Sequence, residues 1–314
     1  MTDAAESGTG PRSDKVPGID ARAARRFFDR SAGGADVLSR EVERRMAERL
    51  ELVRLDPARV LDAGSGGGEA AALLARRYPR AECFSLDAAH AQLARARAKA
   101  RAARSLMQRA RGLMKGSLSA APAVCGDFHR LPFASRSFQL AWSNLALAWA
   151  GDPLPVFKEL CRVLEVGGLL MFSTYGPDTL KELRAAFAAV DSAPHVHRFI
   201  DMHDLGDMLV AAGFAEPVMD MEVITLTYPD FDALLSDLRL SGQANAASDR
   251  RRGLMGRRAW QDMHRRYEML RQEGRLPATV EVIYGHAWRP EPRMSEDGRN
   301  IIRMDLPSPL RTVR

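Results

Sequence analysis

Three carboxylates at the ends of apolar runs, with a glycine-rich turn after the first, carry the chemistry of this chain. Val60-Leu61-Asp62-Ala63-Gly64-Ser65-Gly66-Gly67-Gly68-Glu69 reads as a buried strand, a tight turn and the start of a helix. Glycines at alternate positions (Gly64, Gly66, Gly68) let the backbone turn sharply and come close to a ligand. Asp87, with Ala88 beside it, closes the next apolar run, where a carboxylate can grip the two hydroxyls of a ribose. Asp127 and Phe128 follow a third run, Val124-Cys125-Gly126, on the base side of such a ligand. Dinucleotide-binding turns look similar, but their spacing is usually G-x-G-x-x-G. Here the spacing is G-x-G-x-G, and Asp62 directly before it would repel a pyrophosphate. The set therefore predicts a nucleoside ligand with a cationic end. The helix opening at Glu69 adds free N–H groups that suit a carboxylate.

Positioning these groups takes strands that alternate with helices. Strands are predicted at 59–63, 81–87, 123–126, 138–144 and 167–174, and helices at 69–78, 88–114 and 154–164. That alternation implies a mostly parallel sheet covered on both faces. Asn144 and Leu145 fall at the carboxyl end of the fourth strand, where such sheets hold their ligands. Before the first strand, one helical pattern runs over about 19–50, with Leu38, Val42, Met46 and Leu50 on one face. After the fifth, helices are expected at 177–190 and 202–212 and strands at 218–228 and 279–288. The roughly fifty residues at 229–278 exceed a hairpin loop and carry two helical stretches, 232–240 and 256–271. They read as a helical cap inserted over the substrate side, with a helical pair packed away from the site as the alternative. Residues 1–20 are a polar, Gly/Pro-containing tail expected to be disordered and 291–314 a polar, Pro-rich tail expected to be flexible, leaving one domain over 21–290.

Composition excludes several classes. At 46% hydrophobic and 27% charged residues, the 314-residue chain is ordinary for a globular protein. No apolar run reaches the length of a membrane span, and the N-terminus lacks a signal-peptide pattern, so a cytoplasmic protein is expected. Cys83, Cys125 and Cys161 are scattered, which argues for reduced thiols over disulfides or zinc. His195, His197 and His203 have few carboxylates nearby, so no metal is expected. The net charge of +6 is modest, but eight Lys or Arg lie between Arg95 and Lys115 without one acid. Arg97, Arg101, Arg104, Arg111 and Lys115 form a helical stripe, with Leu106 and Leu113 opposite. Such a stripe can steer an acidic partner. It lacks interleaved aromatics, which disfavours nucleic acid, and a merely solvated helix face remains the alternative.

The order of acid, glycine turn, ribose acid and base-side acid resembles class I S-adenosylmethionine-dependent methyltransferases. Later segments narrow the likeness. Trp142-Ser143-Asn144-Leu145-Ala146-Leu147-Ala148-Trp149, Pro177-Asp178-Thr179-Leu180-Lys181-Glu182-Leu183-Arg184 and His195-Val196-His197-Arg198-Phe199 resemble the malonyl-acyl-carrier-protein O-methyltransferases of biotin synthesis. The resemblance spans about residues 25–290. It implies a Rossmann-like, seven-stranded α/β sheet, S-adenosylmethionine as cofactor, and an acidic acyl carrier protein bearing a malonyl thioester (or malonyl-coenzyme A) as partner. One feature departs from it: the tyrosine that usually follows the F-x-R of the N-terminal helix is missing after Phe28-Asp29-Arg30. Gly242-Gln243-Ala244-Asn245 and Gly285-His286-Ala287-Trp288 also resemble mitochondrial complex I assembly factors of methyltransferase fold. A protein hydroxylase or respiratory assembly factor is therefore the alternative function.

The first resemblance implies methyl transfer to the free malonyl carboxylate. That nucleophile is already ionised near neutral pH, so no general base is needed. Asp62, Gly64, Ser65, Gly66, Gly68, Asp87, Ala88, Asp127, Phe128, Asn144 and Leu145 would hold the cofactor. Arg184 and Arg198 are the candidates for gripping the carboxylate, since a guanidinium pairs with it bidentately. Tyr175 would line the pocket. Two other readings stay open, a cofactor-binding module without turnover and a methyltransferase for a small hydroxylated molecule, the latter wanting a base such as His197.

Overall fold

The computed structural model describes residues 18–31, 37–110 and 122–292, the side chains of 103–110 excepted. The chain runs α1 (Ala21–Arg30), α2 (Val37–Glu51), β1 (Arg59–Ala63), α3 (Glu69–Arg77), β2 (Glu82–Asp87), α4 (His90–Ala110), β3 (Ala123–Cys125) and β4 (Phe138–Ser143). It continues with α5 (Pro153–Val163), β5 (Leu164–Tyr175), α6 (Lys181–Ala188), α7 (Met202–Ala211), β6 (Ala215–Tyr228), α8 (Phe231–Leu240), α9 (Arg257–Glu268) and β7 (Leu276–Trp288). The seven strands form one sheet in the order β3-β2-β1-β4-β5-β7-β6. The first five are parallel, while β7 is antiparallel to both β5 and β6. The expected seven-stranded α/β sheet is thus present. The chain order reverses between β1 and β4, the crevice where doubly wound sheets take ligands.

Both faces of the sheet are buried, as parallel strands require. On one face α2 contributes Leu38, Val42, Met46 and Leu50, which pack with Leu74, Trp142, Met171 and Val282. On the other, α5 and α7 supply Phe157, Leu160, Leu205 and Leu209 against Leu61, Phe138 and Phe172. The i, i+4 rows predicted for α2 are the rows that are buried.

Several boundaries differ from the sequence expectation, three of them with a clear structural cause. The N-terminal helical pattern is two helices: α1 ends at Ser31, whose backbone is extended (φ −59°, ψ 140°), and α2 begins at Val37. The first turn expected after β5 is not helical until Lys181. The amides of Gly176, Asp178 and Leu180 donate instead to the Glu281 carbonyl, the Glu281 carboxylate and the Thr279 carbonyl of β7. And β5 begins directly after α5, because Gly167 and Gly168 are held in the sheet by backbone hydrogen bonds with Arg289.

The residues between β6 and β7 form a helical cap. Phe231, Leu234, Met263 and Tyr267 share a core with Leu183, Ala186 and Phe187 of α6. The N-terminal segment joins it: the Asp20 amide donates to the Ala246 carbonyl at 2.8 Å, and Arg250 pairs with the Asp20 carboxylate at 2.9 Å. Residues 18–20, assigned to the tail from sequence, are therefore part of the fold. Residues 1–17 and 293–314 of the tails, and Arg111, Leu113 and Lys115 of the stripe and its opposite face, lie outside the described residues, as do the side chains of Arg104 and Leu106. Among the described residues no helix is long and apolar enough to cross a membrane.

Candidate active site

Parallel pairing brings the carboxyl ends of β1, β2 and β4 to one edge, with Asp62 opposite Ser85 and Trp142, and Asp87 opposite Cys125. The glycine turn is pinned there by amides: Gly64 and Ser65 both donate to the Leu86 carbonyl, and Gly68 donates to the Ser65 carbonyl. Gly64 has φ +82°, and a methyl group on it would lie 2.2 Å from the Ala146 side chain. Gly68 has φ +78° and opens α3 with no side-chain cap, so the helix presents bare N–H groups. Both positions need glycine for conformation and for room.

Asp87 is fixed by two short hydrogen bonds, from the Gly66 amide at 2.8 Å and the Ala89 amide at 2.7 Å. Burial raises its pKa despite those bonds. Asp62 is deeper, 3% exposed, with Oδ2 buried and unpartnered. Burial first, then the charges of Glu43, Asp87 and Glu69, push its pKa well up. Ser65 Oγ is also buried without a partner. Asn144 donates to the Ser39 carbonyl of α2 at 3.0 Å and accepts from Ser173 Oγ at 2.8 Å; the Leu145 amide in turn donates to Ser173 Oγ. Asp127 lies farther out, its carboxylate turned to the amide and ring of His129. Partial burial would raise its pKa, but those hydrogen bonds win and lower it. Phe128 packs on the core beside His129.

Beyond β4 and β5 lies a cavity of about 220 Å³. Its walls include Trp149, Tyr175, Phe199 and His197 on the sheet side and Leu238, Arg239 and Gln243 from the cap. The cap thus forms one wall of this cavity. Tyr175 donates to Gln243 Oε1 at 3.0 Å, closing β5 against the cap. His197 is 4% exposed, and its Nε2 accepts the Ala246 amide, so the neutral ring carries its proton on Nδ1. Burial, then the Arg250 charge, lower its pKa to about 4. It is neutral at pH 7, and the ring nitrogen that lacks a proton is already taken.

The two arginines expected to grip a carboxylate sit differently. Arg184 is half-buried and donates to the carbonyls of Pro177 and Thr179 at 2.9 and 3.0 Å, which stiffens the loop after β5. It is not in the cavity wall. Arg198 is exposed beside Tyr175 in a smaller cleft. It makes no hydrogen bond or ion pair among the described residues. Arg239, which sequence reasoning passed over, shares that property and lines the larger cavity. On α4, Arg97 donates to the Ala123 carbonyl, Arg95 to Phe28 and Ser31, and Lys99 pairs with Glu69. Of these, Arg97 belongs to the basic stripe and Arg95 and Lys99 to the basic run around it; all three are engaged in holding the fold.

Similarity to known proteins bears on this geometry. A methyltransferase-domain family model matches residues 61–172, the span from β1 through β5. A protein of Laribacter hongkongensis named malonyl-[acyl-carrier protein] O-methyltransferase is 53% identical over 91% of this chain and 96% of its own length. One of the same name from Gallionella capsiferriformans is 51% identical over the same shares. The chain belongs to the malonyl-[acyl-carrier protein] O-methyltransferase family. Solved structures agree on the fold. A putative methyltransferase from Bacillus halodurans aligns with a TM-score of 0.53 at 19% identity, over 78% of this chain and 99% of that one. The YcgJ protein of Bacillus subtilis gives 0.52 at 15%, over 80% and 99%.

The family's cofactor is S-adenosylmethionine, and the cradle fits it. A strand-end carboxylate fixed by two amides, a glycine turn with no room for side chains, and buried acceptors left without partners suit its ribose and its cationic end.

Proposed function

We infer that this chain transfers a methyl group from S-adenosylmethionine to the free carboxylate of a malonyl thioester on acyl carrier protein or coenzyme A, a step of biotin synthesis. The names of its relatives support the substrate. The state of His197 carries the reading: this base of the cavity wall is held neutral with its acceptor nitrogen occupied, and His195, the other histidine there, has Nε2 paired with Asp191 at 2.8 Å. A phenol or alcohol acceptor would want a base there, whereas a carboxylate needs none.

When bound, the cofactor supplies an electrophilic methyl on a sulfonium. The chain's task is to align the carboxylate with it and keep water out. In this reading Asp87 takes the ribose hydroxyls, and Asp62, Gly64, Ser65, Gly66 and Gly68 hold the amino-acid end. Ala88, Asp127 and Phe128 flank the base, and Asn144 and Leu145 floor the site. Arg198, unpaired beside Tyr175, holds the malonyl oxygen that does not attack, and Arg239 is the second cation an acidic substrate meets. Arg184 acts through the loop it braces.

The partner is an acidic carrier protein met by the exposed basic surface, and the chain works in the cytoplasm. The test is mass spectrometry of malonyl-acyl carrier protein after incubation with the protein and S-adenosylmethionine. A gain of one methyl that disappears when acetyl replaces malonyl is expected. No gain, with cofactor binding intact, would overturn the substrate.

A further inference from the structure

Buried polar atoms in a folded protein are almost always hydrogen-bonded, so the exceptions mark places where something else binds. Among the described residues five buried side-chain atoms lack a partner: Glu43 Oε1, Asp62 Oδ2, Ser65 Oγ, Trp142 Nε1 and Arg95 Nε. The first four belong to one place. Asp62 and Trp142 are paired residues of β1 and β4, and Ser65 is in the glycine turn that follows β1. Glu43 comes down from α2, and its charge and that of Asp62 oppose each other.

Glu43 is 5% exposed. The Trp142 indole lies near its carboxyl without hydrogen-bond geometry. Its other charged neighbours are acids: Asp62 from β1 and Glu69 from α3, with Asp87 of β2 behind Asp62. Among the described residues no base faces Glu43 or Asp62, while Lys99 and Arg95 act on Glu69 and Asp87. Lys99 is committed to Glu69 at 2.6 Å, Arg44 to Glu41 and Glu48, Arg45 to Glu41 and Glu222, and Arg49 to Asp220. Nor can the helix swing away freely, because Asn144 ties the Ser39 carbonyl of α2 to the end of β4. Two facing buried acids cost stability unless a proton or a cation is held between them.

The set of unfilled acceptors names that cation. Two carboxylates and one hydroxyl, each with a free oxygen, match the three N–H donors of a primary ammonium. We propose that Glu43 is a cofactor-binding residue: together with Asp62 and Ser65 Oγ it seats the ammonium group at the amino-acid end of S-adenosylmethionine. α2 is then part of the cofactor site, and the indole N–H of Trp142 orients the Glu43 carboxyl once it is ionised. The proposal rests on S-adenosylmethionine being the cofactor and adds to that reading a residue outside the glycine turn.

The experiment is isothermal titration of the full-length protein and its Glu43→Gln and Glu43→Met variants. Two probes are used: S-adenosylmethionine, and methylthioadenosine, which keeps the nucleoside and sulfur but has no ammonium. Both variants should bind S-adenosylmethionine about 10-fold or more weakly, and methylthioadenosine within about twofold of the unaltered protein. The unliganded variants should also melt at a higher temperature, since a buried unpartnered acid is gone. Equal S-adenosylmethionine affinity, or an equal loss on both probes, would overturn the proposal and leave the cofactor standing. Failure of the unaltered protein to bind S-adenosylmethionine would remove the cofactor and the proposal together.

Discussion

The carboxylate of Asp87 accepts the amide of Gly66 at 2.8 Å, joining the end of β2 to the glycine turn that follows β1. With the Ala89 amide on its other oxygen, Asp87 has its orientation set before any ligand binds. Asp87→Ala removes both the ribose acceptors and the brace of the turn. S-adenosylmethionine affinity should fall about 10-fold to 100-fold by calorimetry, with the far-ultraviolet circular dichroism unchanged. Unaltered affinity would remove Asp87 from the site.

Gly64 combines a left-handed backbone with an occupied neighbouring space, whereas Gly167 has a similar φ of +75° and nothing within 4 Å of the added methyl. Gly64→Ala should therefore cost about 2–3 kcal/mol or more, and lower the melting temperature by about 5–10 °C. Gly167→Ala should cost only the conformational part, about 1–2 kcal/mol. Equal losses in thermal unfolding would mean that the contact with Ala146 is relieved by movement.

The two arginines of the sequence reading should separate cleanly. Arg184→Ala strips two carbonyls of a half-buried charged donor and should cost about 1–3 kcal/mol of stability. Arg198→Ala should leave the melting temperature unchanged and raise the KM for the malonyl substrate about 10-fold, with a smaller effect on kcat. A kinetic loss in Arg184→Ala that persists when stability is restored by low temperature would return Arg184 to the substrate site.

Burial, and then the charge of Glu69, push the pKa of Glu43 up to about 7 from an ordinary 4.5. The unfolded chain loses this proton first, so stability is undiminished below about pH 4.5 and falls as the pH rises toward about 7. At full development the effect is at most about 3 kcal/mol. His197, depressed to about 4, works in the opposite sense and weakens the fold as the pH drops below its ordinary 6.5. Subtracting the denaturation curves of Glu43→Gln from those of the unaltered protein isolates the first effect. The difference should grow between about pH 5 and about pH 7 and then level off. A difference independent of pH would show that Glu43 titrates normally.

The glycine turn and its acids were legible because strand, turn and helix start lie within ten residues and each constraint is local. The parallel part of the sheet followed from alternation, and its seven strands from the family resemblance. Glu43 was also within reach: it precedes Met46 by three and Leu50 by seven, so it falls in the buried row of α2. Next to Arg44 and Arg45, an acid of this helix is not distinguished from surface charge by its neighbours in sequence. The partners of Arg184 were out of reach for a different reason. Helical spacing places the residue but says nothing of the Pro177 and Thr179 carbonyls, which the pairing with β7 leaves open to it. Arg239 and Gln243 depend on how the cap folds back across the end of β5, a long-range event with no local signature.

The cap leaves the sheet at Tyr228 and returns at Leu276, residues that face each other across one rung of the β6–β7 ladder. A hairpin closed so tightly at its base tolerates almost any length of chain at its tip, because joining its ends costs little more for a long loop than for a short one. A cap of another length can therefore be joined at this rung with the cradle at the far strands untouched. Phe231, Leu234 and Tyr267 rest on Leu183 and Phe187, so the exchangeable unit is the cap together with α6. A graft that carries one without the other exposes an apolar face.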